Sequence, residues 1–339
     1  MSRPYLEYHP VFAHRFVPGI RARVSSEEGG YFVRANGLGF RSEREFARER
    51  TPGLQRVLAF GDSFTAGDGV SNSQRYTDVL EGLLDGVEVY NFGLPGTGPD
   101  QHYLAYREYA ADMDCDLLLL APLAENIRRV VAHHRIFLDG GEGACYAKPY
   151  YELGPGDDLI LRNVPPSPDP VRLDDLPPSE RKHVDLGGRF AAARQIVNAL
   201  GAKELALKLT SYQPLPEYAS SDNPAWRVLR AILLRWIKEH QETRGPVLLA
   251  PIPFYHYVEE ISDGTAFVTR FRELAASAGC AFHDMLPDLQ AYPAAERRRF
   301  RFEKDVHLTP AGHAAVAASL APAVRAALAL NATHAFHAR

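Results

Sequence analysis

The sequence predicts an α/β protein built on a parallel sheet with helices over both faces. Two observations carry this: short apolar runs of strand length recur along the chain, and segments of helical pattern separate them. The first run is Arg56-Val57-Leu58-Ala59-Phe60 and the second spans 87–92. The third, 117–120, is entered from Asp116; the fourth is 247–251 and a short fifth is 281–283. Helices are expected over 74–84, with Tyr76, Val79, Leu80, Leu83 and Leu84 on one face, and over 100–113, 226–240 and 267–278. A last helix over 310–330 has Thr309 as N-cap and Pro310 in its first position.

Three stretches fall outside that rhythm. Residues 1–54 precede the first strand and are read as a non-catalytic segment that wraps the core. The main domain spans 55–330. It carries an insertion at about 137–210, far longer than ordinary connections, read as a lid or substrate-binding cap. Within it, 146–153 and 159–164 flank Gly154-Pro155-Gly156-Asp157-Asp158 as a hairpin, and 185–210 is read as helical. Residues 331–339 are read as a fraying tail.

The bulk numbers exclude several classes. Hydrophobic residues are 46% and charged residues 24%, a globular balance, and the net charge of −4 gives no sign of nucleic-acid binding. The three cysteines, Cys115, Cys145 and Cys280, are odd in number and far apart, so reduced thiols are expected rather than a disulfide framework or a zinc site. The start of the chain has no apolar leader with a cleavage site. No run is read as reaching the ~18 apolar residues needed to cross a bilayer, so a cytoplasmic location without membrane contact is the expectation. Oligomeric state is not legible.

The chemistry begins where the first strand ends, at Gly61-Asp62-Ser63-Phe64-Thr65. Ligands in open α/β sheets sit at the carboxyl ends of strands, so Ser63 is delivered to the active edge. Position 65 is Thr, so this is not the Gly-x-Ser-x-Gly elbow, and Gly-Asp-Ser taken alone reads more readily as a helix cap. A serine nucleophile needs a base and a group that orients it. Asp305-Val306-His307, just before the last helix and at the same sheet edge, supplies both. Oxyanion donors are available from the glycines of Asn91-Phe92-Gly93-Leu94-Pro95-Gly96-Thr97-Gly98 and from the Asn126 amide. Asp62, Arg128 and His256 are candidates for substrate contact; Arg128 and Arg129 read also as a solvated helix start. His133-His134 lacks a ligand partner at a suitable offset, so no metal and no cofactor are expected, and His313 reads as packing or capping.

These blocks resemble the SGNH (GDSL-type) hydrolase superfamily. Ser63 matches its nucleophile, Gly96 its second-block glycine, Asn126 its third-block asparagine, His307 its base and Asp305 the acidic partner. The chain departs from the common pattern in having Ile127 after Asn126, and Lys304 where the acid often stands three before the histidine. The resemblance implies a three-layer α/β/α flavodoxin-like fold with strand order 2-1-3-4-5. It also implies an oxyanion hole made by the Ser63 N–H, the Gly96 N–H and the Asn126 amide. The expected activity is hydrolysis of a small-molecule carboxylic ester, with a small acyl or O-acetyl group on a sugar or metabolite, through an acyl-enzyme on Ser63. An acyltransferase with the same Ser-His set is an alternative. So is a non-catalytic binding protein on a flavodoxin-like scaffold.

Overall fold

A computed structural model describes residues 5–26, 29–136, 144–184 and 212–337. The apolar runs pair into one parallel sheet of five strands: β1 (Gln55–Phe60), β2 (Val87–Asn91), β3 (Leu117–Leu120), β4 (Val247–Leu249) and β5 (Ala281–Phe282). Their order is β2-β1-β3-β4-β5, as the family resemblance implies. Leu58 lies opposite Tyr90 on one side and Leu118 on the other, and Leu119 lies opposite Leu248. Val57 to Phe60 are all buried, because β1 is central and covered on both faces. That is why the run is continuously apolar rather than alternating.

Helices form the outer layers. The short α1 (Ser63–Ala66) follows β1 directly. On one side α2 (Tyr76–Leu83) packs on the last helix, α7 (Pro310–His337). On the other, α3 (Pro99–Tyr109) and α6 (Thr265–Ala278) pack on α5 (Pro224–Thr243). Another short helix, α4 (Asn126–Arg129), follows β3. Trp236 of α5 meets the Phe60 ring edge-on at 5.1 Å, and Phe60 stacks on Phe92 at 4.7 Å, tying that layer to the sheet.

The expected elements need some adjustment. Leu83 is 44% exposed, whereas Leu84 is buried, because the chain leaves α2 in an extended conformation at Leu84 and turns that side chain inward. Thr309 caps α7 through the Gly312 N–H, as expected, but the helix runs on to His337 rather than ending near 330. Over Pro310–Leu330 it is long and apolar enough to cross a membrane by length and composition, contrary to the expectation that no run is. Of its apolar window, 56% is buried, so much of that apolarity belongs to the core. Of the insertion, the hairpin is present as Tyr150–Leu153 paired with Leu159–Arg162, while Tyr146 belongs to a separate strand, Ala144–Ala147. The helix read at 185–210 lies outside the described residues.

The described residues before β1 reach the main core with charge as well as apolar contact. Two antiparallel hairpins, Leu6–His9 with Ala13–Phe16 and Arg21–Val24 with Tyr31–Arg34, come first. Phe12 and Phe40 then enter the main core. Arg56 on β1 is fully buried, pairs with Glu88 of β2 at 2.6 Å, and donates to the carbonyls of Ala47 and Glu49. An arginine in a central strand is tolerated here because every charged edge of its guanidinium is matched.

Removing one member of that pair is therefore costly. Glu88→Gln leaves a buried guanidinium without its counter-charge and is expected to lower stability by about 3–5 kcal/mol. Glu152→Gln, at the exposed pair with Arg162, should cost below about 1 kcal/mol. Denaturant midpoints of the two variants measure the contrast.

Candidate active site

The site is assembled where β1, β2 and β3 end. After Phe60 the chain must turn tightly at Gly61, where an added Cβ would lie 2.0 Å from Thr65 Oγ1 and 2.9 Å from the Ala121 carbonyl oxygen. Only glycine fits there. Asp62 then caps α1, its Oδ1 accepting from the Phe64 N–H at 3.0 Å. This capping turn presents the Ser63 hydroxyl at the sheet edge.

The loop after α6 and β5 brings the base. His307 Nε2 is 2.8 Å from Ser63 Oγ, and His307 Nδ1 is 2.7 Å from Asp305 Oδ1, which also accepts from the His307 backbone N–H. Asp305 can only accept, so Nδ1 carries the proton and Nε2 is left to accept from the serine hydroxyl. The geometry thus selects the tautomer that a general base requires. Burial by itself lowers the His307 pKa. The hydrogen bond that His307 donates to Asp305, with the nearby carboxylates of Asp68 and Asp62, outweighs that and holds it above the ordinary histidine value. Burial likewise raises the Asp305 carboxyl, but its bonds to His307 win and hold it below the usual range.

The candidate donors lie in the segments that follow β1, β2 and β3. Gly96 has φ +69°, a left-handed conformation that suits glycine. Neither its N–H nor that of Ser63 has a hydrogen-bond partner among the described residues. Asn126 is fully buried; its Oδ1 accepts from the Leu123 N–H at 3.0 Å and its Nδ2 donates to Asp62 Oδ2 at 2.9 Å. An amide nitrogen carries two hydrogens, so one remains for an oxyanion.

Three residues expected to contact substrate are each engaged by protein groups in the structure. Asp62 is fully buried, and its carboxylate serves neighbouring loops: Oδ2 accepts from both Asn126 and Arg129 Nη1, the latter at 2.8 Å. Arg128 is turned away, bonded to Glu217 at 2.6 Å and to the Pro214 carbonyl. His256 is buried among the rings of Phe254, Tyr255 and Tyr212 and lines neither of the cavities that reach Val306. Asp62 and Arg128 are thus bonded to protein groups, and His256 is packed among rings.

Arg129 is the site arginine. Besides Asp62 it donates to the Thr97 carbonyl at 3.0 Å and to Glu125 at 2.8 Å, so one guanidinium ties together the loops after β1, β2 and β3. Helical spacing could have singled it out, because Arg129 lies three residues from Asn126 and shares its face, whereas Arg128 does not. Thr97 Oγ1 donates to the Leu94 carbonyl, so His102 Nε2, 2.8 Å away, must donate to that same oxygen. Burial, with Arg129 and Lys148 nearby, pushes His102 down to about 3 and keeps it neutral. Asn91 completes the frame, giving its amide to the Thr65 carbonyl and the Thr77 hydroxyl.

His313 accepts the Tyr76 N–H at 3.1 Å, a packing and capping role as read from the sequence. His133 and His134 both turn to Glu180, at 3.5 and 2.7 Å, and His133 stacks on Tyr150.

If Arg129 positions the donors, Arg129→Ala should lower kcat/KM on any turned-over ester by about a hundredfold, the scale of an ångström-level misplacement. Arg128→Ala should change it little, and kinetics on the two variants side by side is the measurement.

No family model matches this sequence, and no curated protein does. Solved structures with a similar fold include a lipolytic protein of the G-D-S-L family from Veillonella parvula, at 13% identity over 79% of this chain and 96% of that one, with a TM-score of 0.39. A lipase/acylhydrolase from Enterococcus faecalis matches at 14% identity over 80% and 96%, with a TM-score of 0.42. A catalytic mutant of an acetylxylan esterase from Geobacillus stearothermophilus matches at 14% identity over 80% and 94%, with a TM-score of 0.43. Likeness at this level assigns no substrate and no residue role to this chain, whose own geometry has to supply them.

Proposed function

We propose that this protein is a carboxylic ester hydrolase acting through an acyl-enzyme on Ser63. The observation that carries the reading is the continuous hydrogen-bonded chain from Asp305 through His307 to Ser63. Ser63 Oγ attacks the ester carbonyl as His307 Nε2 takes its proton. The carbonyl oxygen becomes an oxyanion held by the N–H groups of Ser63 and Gly96 and the free N–H of Asn126. Collapse breaks the bond to the alcohol oxygen, which leaves with the proton from His307. Water then attacks the acyl carbonyl, gives its proton to His307, and frees the acid as Ser63 regains its hydrogen.

One feature favours hydrolysis over the acyltransferase alternative, and a second favours a short acyl group. The Asp305 side chain is 55% exposed and that of His307 21% exposed, so water reaches the base. The apolar cavity behind the site, lined by Phe64, Val306, Leu308 and Phe300, has about 30 Å³ of free space. A single water needs roughly 10–15 Å³ on the same measure, so a long acyl chain does not fit there.

Ser63→Ala is expected to lower kcat on p-nitrophenyl acetate by roughly 10⁴-fold or more, with kcat falling along the acetate-to-octanoate series of p-nitrophenyl esters in the wild type. Retention of wild-type rates by Ser63→Ala rules the mechanism out. The pH profile gives a second check. His307 must be neutral to act as base, so activity is lost as pH falls through its pKa. Because that pKa is raised, the acid limb of kcat/KM should lie above the ordinary histidine value of about 6.5. Asp305→Asn removes the largest raising cause, and the limb should move to lower pH.

A further inference from the structure

His307 stands in the wall of a second cavity, of about 650 Å³, and two carboxylates stand in that wall with it: Asp305 and Asp68. We propose that Asp68 is a positioning residue for the base, a second carboxylate that shares with Asp305 the positive charge His307 takes up in each transition state. The proposal rests on the ester-hydrolase reading and adds a residue outside the Asp305-His307-Ser63 chain on which the rate depends.

Backbone contacts bring the loops of Asp68 and His307 together. Helix α1 ends at Gly67, whose left-handed conformation, φ +81°, turns the chain back on itself. The N–H groups of Gly67 and Asp68 both donate to the Ser63 carbonyl, at 2.8 and 3.0 Å, so Asp68 is fixed against the backbone of the nucleophile. In the base loop, the Phe302 N–H donates to the His307 carbonyl at 3.1 Å. The Phe302 ring lies so close to Gly69 that an added Cβ there would come within 2.4 Å of it. The residue next to Asp68 therefore carries the loop that delivers the base.

Arg41 of the opening segment fixes the same loop. It is fully buried and donates to the carbonyls of Gly67 and Val70, at 2.6 and 2.7 Å, on either side of Asp68 in sequence. Its other acceptors are the Asn72 amide oxygen and the Phe32 carbonyl, so no carboxylate among the described residues bonds to it. A buried guanidinium with neutral acceptors alone needs a counter-charge close by. Asp68 and Asp78 lie in its field, and Asp78 is already paired with Arg75 at 2.7 Å. Asp68 is thus the carboxylate set between Arg41 and His307. Burial raises its pKa, and those two cations oppose that rise. Its carboxylate accepts no hydrogen bond among the described residues, so its charge acts through space.

What Asp68 supplies is charge in a sheltered place. When His307 Nε2 takes the Ser63 proton, the ring becomes a cation while its Nδ1–H stays on Asp305. The Asp305 side chain is 55% exposed, so water screens its charge. Asp68 is only partly exposed. The other groups around the imidazole add little net charge. Asp62 is matched by Arg129. Glu303 and Lys304, in the same wall, are exposed and opposite in sign. Tyr5 and Tyr31 present rings there, and burial raises the Tyr31 phenol, which stays uncharged. His313 of α7 is buried and pushed down to about 3, so it is neutral. Asp68 and Asp305 are the carboxylates left to face the imidazolium.

The test is Asp68→Asn, assayed on p-nitrophenyl acetate over a pH series. The plateau of kcat is expected to fall on the order of tenfold, with KM little changed. At the same time the acid limb of kcat/KM should move to lower pH, because losing a nearby negative charge disfavours the imidazolium. Damage to the loop alone lowers the plateau and leaves the limb in place; that result overturns the proposal, as does an unchanged plateau. Glu303→Gln removes a carboxylate from the exposed part of the same wall and should leave the limb where it is. A shift there as large as that of Asp68→Asn overturns the assignment to Asp68. If Ser63→Ala still cleaves the ester, the hydrolase reading fails instead. Asp68 is then judged without turnover, by NMR titration of ring-labelled His307 in the wild type and in Asp68→Asn. A lower His307 pKa in the variant supports the pairing, and an equal one overturns it.

Discussion

The carboxylate of Asp62, buried and shared between Asn126 and Arg129, is the contact on which the site depends. A buried charge is tolerable only when matched, and Arg129 matches it while also holding Glu125 and the Thr97 carbonyl. The match places the ends of three strands in one rigid frame. Ser63 follows Asp62 in sequence, Asn126 is bonded to it, and Gly96 precedes the residue whose carbonyl Arg129 holds. Asp62, the residue before Ser63, thus organises its neighbours.

The same logic extends outward. Lys148, from the described part of the insertion, is fully buried against Asp100 at the start of α3. His14 donates from the opening segment to the Pro95 carbonyl, next to Gly96, at 2.6 Å; burial pushes this imidazole down to about 4, so it stays neutral and gives its single N–H. Arg41 donates to the carbonyls of Gly67 and Val70, just past α1. Loops that would be loose at the edge of an open sheet are therefore pinned by polar groups from remote parts of the chain. Preorganisation of that kind is what an oxyanion site needs, because donors that must reorient during reaction lose much of their effect.

The opening segment does more than reach the main core. The insertion, from its length, was the natural candidate for covering the site, yet its described residues, 144–184, contribute nothing to the wall of the cavity beside His307. Tyr5, Val24, Ser25, Ser26 and Tyr31 of the opening segment line it instead, together with Asp68, Gly69 and the loop 302–307. Length alone does not say where a segment lands; the Arg41 and Arg56 contacts, which carry the lead across the carboxyl and amino ends of β1, do.

The sequence by itself determined the strands, their parallel arrangement and the identities of Ser63, Asp305 and His307. Each is a local property: an apolar run of fixed length, a turn that only glycine permits, an acid two residues from an imidazole. The tertiary structure alone decided the rest. It chose Arg129 over Arg128, made Asp62 an internal tie, buried His256 among rings, and brought Tyr5 and Tyr31 into one cavity with His307. These depend on which buried charge finds which partner across 60 or more residues, as Arg129 finds Asp62. No local periodicity encodes such a pairing, because its energy exists only once both groups have left water.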